Sequence, residues 1–299
     1  MMIKFKELLF LKSLKRVGKA TIYNKYWDIL NDCENFDDLV SKISKDSKFT
    51  KDDIDKAIGN AQKLYDDVNN NKEVQVVTVF DDNYPKKLMI MQNKRPLILY
   101  IKGNVDSLSK ANIAFIGTRK PSTESETFEK KLVKKIVNDS ERVIVSGLAL
   151  GCDKIAHQVT VDENKATIAI LPCGINAITP ASNKKLAEDI LKTNGGLISE
   201  YEPNAKAFKG TYLERDKLVA AFSDAVFVVE CGLKSGTMHT VEAAQKYDKK
   251  IFTFIPEDIP EGEYEGNLSI NDAIQISEGD DFNNNLITSK KTSIQQTFD

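Results

Sequence analysis

The chain has 299 residues, 41% of them hydrophobic, and 42 basic against 44 acidic side chains give a net charge of −2. That length suits one large or two modest folded domains, and the charge excludes a globally basic coat, so any polyanion must be met by a local patch. No apolar run approaches the ~20 residues of a membrane span, and the charged start is not that of a signal peptide. Cys33, Cys152, Cys173 and Cys231 lack paired spacing. The expectation is a cytoplasmic protein with reduced thiols, no metal, no cofactor and no membrane contact.

The first segment, to about residue 68, reads as helical. Phe5, Leu8, Leu9, Leu11 and Leu14 recur near helical spacing, and Tyr23, Trp27, Ile29 and Leu30 resume it after Gly18. The run from Leu14 to Ile22 is similar to a helix–hairpin–helix turn, although a helix–Gly–helix turn that merely packs is commoner. Thr50 and Asp53 have capping-box spacing ahead of a last helix carrying Ile54, Ala57, Ile58, Ala61, Leu64 and Tyr65. Residues 66–73 are polar and asparagine-rich, as in a linker. Two strands are expected next, over residues 74–80 and 97–102, with one helical turn at 86–90 between them.

From Ile113 the pattern becomes strand, glycine-bearing loop, helix. Strands are expected at residues 113–116, 143–146, 167–171, 197–200, 225–230 and 250–254. Helical patterns fall at 127–137, 155–161, 183–191, 216–222 and 238–247. Apolar strands alternating with helices predict a Rossmann-like, doubly wound, mostly parallel α/β sheet. The resulting division is a small all-helical domain over residues 1–70, the sheet domain over 71–283, and a polar tail over 284–299 that is expected to be disordered.

Ligands of such sheets bind past the carboxyl ends of the strands. The loops there are Gly117-Thr118-Arg119-Lys120, the 146–153 segment beginning Ser146-Gly147, the Pro172–Gly174 turn, the Glu200–Pro203 turn, and the 230–237 segment ending Lys234-Ser235-Gly236-Thr237. Small residues let a backbone approach a phosphate, and hydroxyls and amides donate to it. Arg119 and Lys234 supply charge, and Arg215 and Lys217 open a helix that extends the basic rim. Several such loops on one sheet edge make a binding surface; any one alone is often mere packing. Gly147 to Gly151 is not a dinucleotide fingerprint, and no Walker-type loop is present. Asp153 and His157, four apart, share a helix face; a structural hydrogen bond or a helix cap fits them better than a catalytic pair. His239 has no evident partner. Phe208 and Tyr212 are candidates to stack on a base, or to anchor the core.

Together these motifs resemble the DNA-processing protein A (DprA, or Smf) family over about residues 84–273. The resemblance is carried by Asn83-Tyr84-Pro85, Arg95-Pro96, Ile116-Gly117-Thr118-Arg119, the Ser146-to-His157 run, Cys173-Gly174 with Pro180 and Asn183, Ile198-Ser199-Glu200-Tyr201, Ser235-Gly236-Thr237, and Gly266-Asn267. It implies a protein without catalytic residues that binds single-stranded DNA, loads the recombinase RecA in natural transformation, and forms a homodimer. The implied phosphate contacts are Arg119, Lys120, Arg215, Lys217 and Lys234, with Gly117, Thr118, Ser146, Gly147, Ser235, Gly236 and Thr237 lining the pocket. One departure stands out. The family's Arg-Asn-Arg is here Arg215-Asp216-Lys217, which puts a carboxylate where an amide is usual. Two other readings remain open: a nucleotide-sensing module, and an enzyme of the nucleotide phosphoribohydrolase type. The second expects a glutamate where Thr240 stands, so it lacks its acid–base group.

Overall fold

A computed structural model describes residues 4–259 and 264–277. The expected tail over 284–299 lies outside the described residues. The helical segment comprises α1 (Phe5–Ser13), the short α2 (Lys19–Thr21), a π-helical turn (Ile22–Tyr26), α3 (Trp27–Asp32), α4 (Phe36–Ile43) and α5 (Lys51–Asn69). Thr50 caps α5 reciprocally: its hydroxyl accepts from Asp53 N at 3.2 Å, and the Asp53 carboxylate accepts from Thr50 N at 3.0 Å. Helix α5 runs four residues into the stretch expected to be a linker. Leu64, Tyr65 and Val68 keep its last turns on the core, which outweighs the weak helix propensity of the asparagines.

A nine-stranded sheet follows, in the order β1-β2-β6-β5-β4-β3-β7-β8-β9. Its members are β1 (Gln75–Thr78), β2 (Ile98–Gly103), β3 (Asn112–Ile116), β4 (Val143–Ser146), β5 (Thr167–Ile170), β6 (Gly196–Ser199), β7 (Ala225–Val228), β8 (Lys250–Phe254) and β9 (Ile274–Ile276). Strands β3 to β9 are parallel, and β1 and β2 add on antiparallel beside β6. The helices between parallel strands are α6 (Thr123–Asp139), α7 (Cys152–Asp162), α8 (Lys184–Lys192), α9 (Lys209–Phe222) and α10 (Thr237–Lys246), with the single turn α11 (Glu265–Leu268) before β9. Strands β3 to β7 are buried end to end because helices cover both faces. Strand order reverses at β3: the chain steps outward through β4, β5 and β6, then returns to place β7 on the other side. That reversal opens a crevice between the carboxyl ends of β3 and β7.

The helical segment does not stand apart. Leu8, Leu11 and Ala61 share one apolar core with Tyr100, Leu171 and Leu197 of the sheet region. Trp27 stacks on Phe80 with ring centroids 5.1 Å apart. The glycine turn similar to a helix–hairpin–helix turn points Lys19 at the sheet's carboxyl edge, where its ammonium pairs with Glu200 at 2.8 Å.

One buried group works against this packing. Glu129, on the face of α6 turned inward, is fully buried, and neither carboxyl oxygen has a well-formed hydrogen bond among the described residues. Burial, and then the nearby charge of Asp153, raise its pKa well above the usual glutamate range. The unfolded chain ionises this group at lower pH than the folded one does, so its contribution to stability is intact in acid and is lost as pH rises toward the folded pKa. Glu129→Met, which fills similar space without a charge, is expected to be more stable than the parent at pH 8 by about 1–3 kcal/mol, with the gap narrowing at pH 4.5. Urea midpoints at the two pH values measure it.

Candidate functional site

The crevice is a cleft of about 520 Å³. The β3–α6 loop brings Gly117, Thr118 and Arg119; the β4–α7 loop brings Gly147 and Ala149; α7 brings Asp153. Helix α9 contributes Lys209, Tyr212, Arg215 and Asp216, and the start of α10 contributes Ser235, Gly236, Thr237, His239 and Thr240. A smaller cleft of about 190 Å³ adjoins it, walled by Leu150, Pro172 and Pro180 and sharing Arg119, Tyr212 and Arg215 with it.

The loops are fixed by each other. Thr118 N donates to Glu230 O at 2.7 Å, and Cys152 N to Thr118 O at 3.1 Å. Ser122 N donates to the Glu230 carboxylate at 2.8 Å, and the Ser122 hydroxyl caps α6 by accepting from Ser125 N at 3.2 Å. Asp153 does not cap its own helix. Its Oδ2 accepts from Gly147 N at 3.0 Å and Ala149 N at 3.2 Å, so it holds the preceding loop.

Two of the glycines serve the protein before any ligand. A Cβ on Gly117 would lie 2.4 Å from Cys152 Sγ, and one on Gly147 would lie 1.0 Å from Arg215 Nη1. The guanidinium is laid directly over Gly147. Arg215 is only 7% exposed; its Nε lies 3.1 Å from Asp216 Oδ1 and its Nη1 3.6 Å from Asp153 Oδ2. Gly236, by contrast, faces open space, with nothing within 4 Å of where its Cβ would stand.

The structure sorts the expected site residues. Gly117, Thr118, Arg119, Gly147, Arg215, Ser235, Gly236 and Thr237 come together in the cleft. Arg119, Lys120 and Lys234 are exposed and have no ion-pair partner among the described residues; Lys120 and Lys234 stand outside the lining. Ser146 does not reach the cleft: it is fully buried, and its hydroxyl donates to Phe115 O of the neighbouring strand at 2.6 Å. Lys217 points elsewhere and pairs with Glu214 at 2.7 Å. Arg215 and Lys217 also do not open their helix. Helix α9 begins seven residues before Asp216, at Lys209.

That earlier start adds Lys209, which the sequence reading left out. Lys209, Tyr212, Arg215 and Asp216 recur at three- and four-residue spacing, so one face of α9 turns all four toward the cleft. His157 is buried away from it. Thr167 Oγ1 donates to Ile144 O at 2.7 Å, so it accepts from His157 Nδ1 at 2.8 Å, which puts the proton on that nitrogen. Burial first, and then the Arg215 charge, push the imidazole pKa down to about 3, and it serves as a neutral tie between α7 and β5. Phe208 is 67% exposed ahead of α9, whereas Tyr212 lines both clefts. No group of His, Cys, Asp and Glu among the described residues could hold a metal ion. No helix among them is long and apolar enough to cross a membrane.

Comparison with known proteins places these observations. The profile of the DNA recombination-mediator protein A family matches residues 75–286. DNA processing protein DprA of Streptococcus pneumoniae is 32% identical over 204 residues, covering 67% of this chain and 71% of that protein. Protein Smf of Borreliella burgdorferi is 33% identical over 184 residues, 60% of this chain but only 57% of its own length. Among solved structures, DNA processing protein A of Helicobacter pylori, described for its single-stranded DNA binding mode, is 33% identical with a TM-score of 0.62, covering 72% of this chain and 95% of that one. The S. pneumoniae DprA crystal structure shares the fold over 92% of this chain and 95% of its own, with a TM-score of 0.74 at 24% identity.

Proposed function

The chain belongs to the DNA recombination-mediator protein A family, and from that premise we propose that it binds single-stranded DNA in the cleft between β3 and β7 and acts as a recombination mediator. The observation that carries the reading is the juxtaposition of exposed Arg119, Lys209 and the open α10 start at Ser235-Gly236-Thr237 with the Tyr212 ring. Cations and amides of this kind hold a phosphate backbone, and an aromatic ring takes an unpaired base without reading its identity. Lys120 and Lys234 extend the basic rim along the strand's path. The Ser235, Thr237, Met238 and His239 amides are already hydrogen-bonded, so the α10 start favours an anion through its helix dipole. Protection of the strand, its hand-over to RecA, action as a homodimer in the cytoplasm, and the division into domains at 70/71 belong to the same proposal. Two copies would offer two clefts to one strand.

Fluorescence anisotropy of a labelled oligo-dT, beside a duplex of equal length, tests it. Three phosphate contacts give a slope of about −2 in log affinity against log salt, so binding should weaken by about tenfold or more between 50 and 200 mM salt. The single strand should be preferred. Equal binding of the duplex, or none of the strand at low salt, would remove the proposal.

A further inference from the structure

Charge bookkeeping inside the cleft points to a selectivity that the fold alone does not. Three cations line it, Arg119, Lys209 and Arg215, against two carboxylates, Asp153 and Asp216, which leaves one net positive charge. Asp153 is committed to the Gly147 and Ala149 amides and is 7% exposed. Asp216 is different. Its side chain is 17% exposed at the cleft, and one oxygen lies 3.1 Å from Arg215 Nε, an ion-pair contact without hydrogen-bond geometry. Arg215 has no room to leave this pairing on the Gly147 side, where it already occupies the space of a Cβ.

Resting on the strand-binding reading, we propose that Asp216 sets the charge of the anion the cleft accepts: a singly charged phosphodiester from a strand's interior, in preference to the doubly charged monoester of a free nucleotide or a strand end. One net positive charge is balanced by a diester. A monoester brings a second negative charge toward a fixed carboxylate in a partly desolvated site, where like charges repel most. The other groups facing Asp216 are Arg215 and Lys209 on α9, Arg119 from the β3–α6 loop, Asp153 on α7, and His239 on α10, whose Nδ1 stands 3.9 Å from Glu242. Burial pushes the Asp216 pKa up against the pull of Arg215, so acid relaxes the filter in the same sense as removing the charge by mutation.

Calorimetric titration of the full chain at pH 8, where a phosphate monoester carries close to two charges, separates the cases. Thymidine 5′-phosphate and its methyl ester share a base and sugar and differ by one charge. The parent protein should bind the methyl ester about tenfold more tightly. In Asp216→Asn the preference should vanish or reverse, a shift in the ratio of about tenfold, while Asp216→Glu should keep it. The same ratio in parent and Asp216→Asn, or no binding of either compound, overturns the proposal. The strand-binding reading fails separately, on anisotropy with oligo-dT.

Discussion

Replacing Arg119 with alanine is expected to weaken single-strand binding by ~1–3 kcal/mol, or roughly 5- to 150-fold in Kd, the range for a charge-assisted hydrogen bond to phosphate. The size follows from its situation. Arg119 is exposed at the mouth of both clefts and has no ion-pair partner among the described residues. Its charge is therefore available, whereas that of Arg215 is already shared between Asp153 and Asp216. Arg119→Lys should recover only part of the loss, because a point charge cannot reproduce a planar fork. The salt slope should fall by about 0.7 with the alanine variant. Unchanged affinity and slope in the anisotropy titration would place the phosphates elsewhere.

Asn267→Ala is expected to destabilise the fold by about 2–4 kcal/mol, although Asn267 itself does not line the cleft. Asn267 is 2% exposed on the short turn α11 and acts as a knot between β7 and β8. Its amide nitrogen lies 3.0 Å from Val229 O, 3.1 Å from Phe254 O and 2.9 Å from Thr253 Oγ1, and its Oδ1 accepts from Cys231 N at 2.7 Å. Alanine leaves several buried partners unsatisfied at once, and each such group costs about 1–3 kcal/mol, partly offset by relaxation. The 230–237 loop springs from the Cys231 amide, so the variant should also loosen the α10 start. Urea unfolding and hydrogen exchange of residues 231–237 measure the two effects, and a midpoint equal to the parent's would show that the turn is dispensable.

The two residues that most change the reading of the site are those whose partners lie far along the chain. Arg215 and Lys217 look equivalent on paper, two cations either side of an aspartate. In the fold one is buried over Gly147 between two carboxylates, and the other turns outward to Glu214. Helical geometry puts neighbours about 100° apart, so residues two apart face different ways. The direction of each was legible only with the start of α9 at Lys209. Ser146 shows the same limit for strands. It belongs to a loop motif by sequence, yet it is the last residue of β4, and its hydroxyl is taken up by Phe115 O of the adjacent strand.

What the sequence determined by itself was the alternation. Buried parallel strands are near-continuous apolar runs, and these were legible at 113–116, 143–146 and 250–254 because a polar side chain is tolerated between two covered faces only where a neighbour takes its hydrogen bond, as Phe115 O does for Ser146. The glycine-bearing loops marked the carboxyl edge, and with it the edge on which the cleft lies. Strand β9, only Ile274–Ile276, carried too short a pattern to be read. Tertiary structure alone decided the strand order that opens the crevice at β3 and β7, the shared core that joins the helical segment to the sheet, and the fate of each charge. Periodicity reports which face of an element is apolar. It is silent on which distant carboxylate a buried guanidinium will meet, because that pairing is fixed by packing between elements and not by spacing within one.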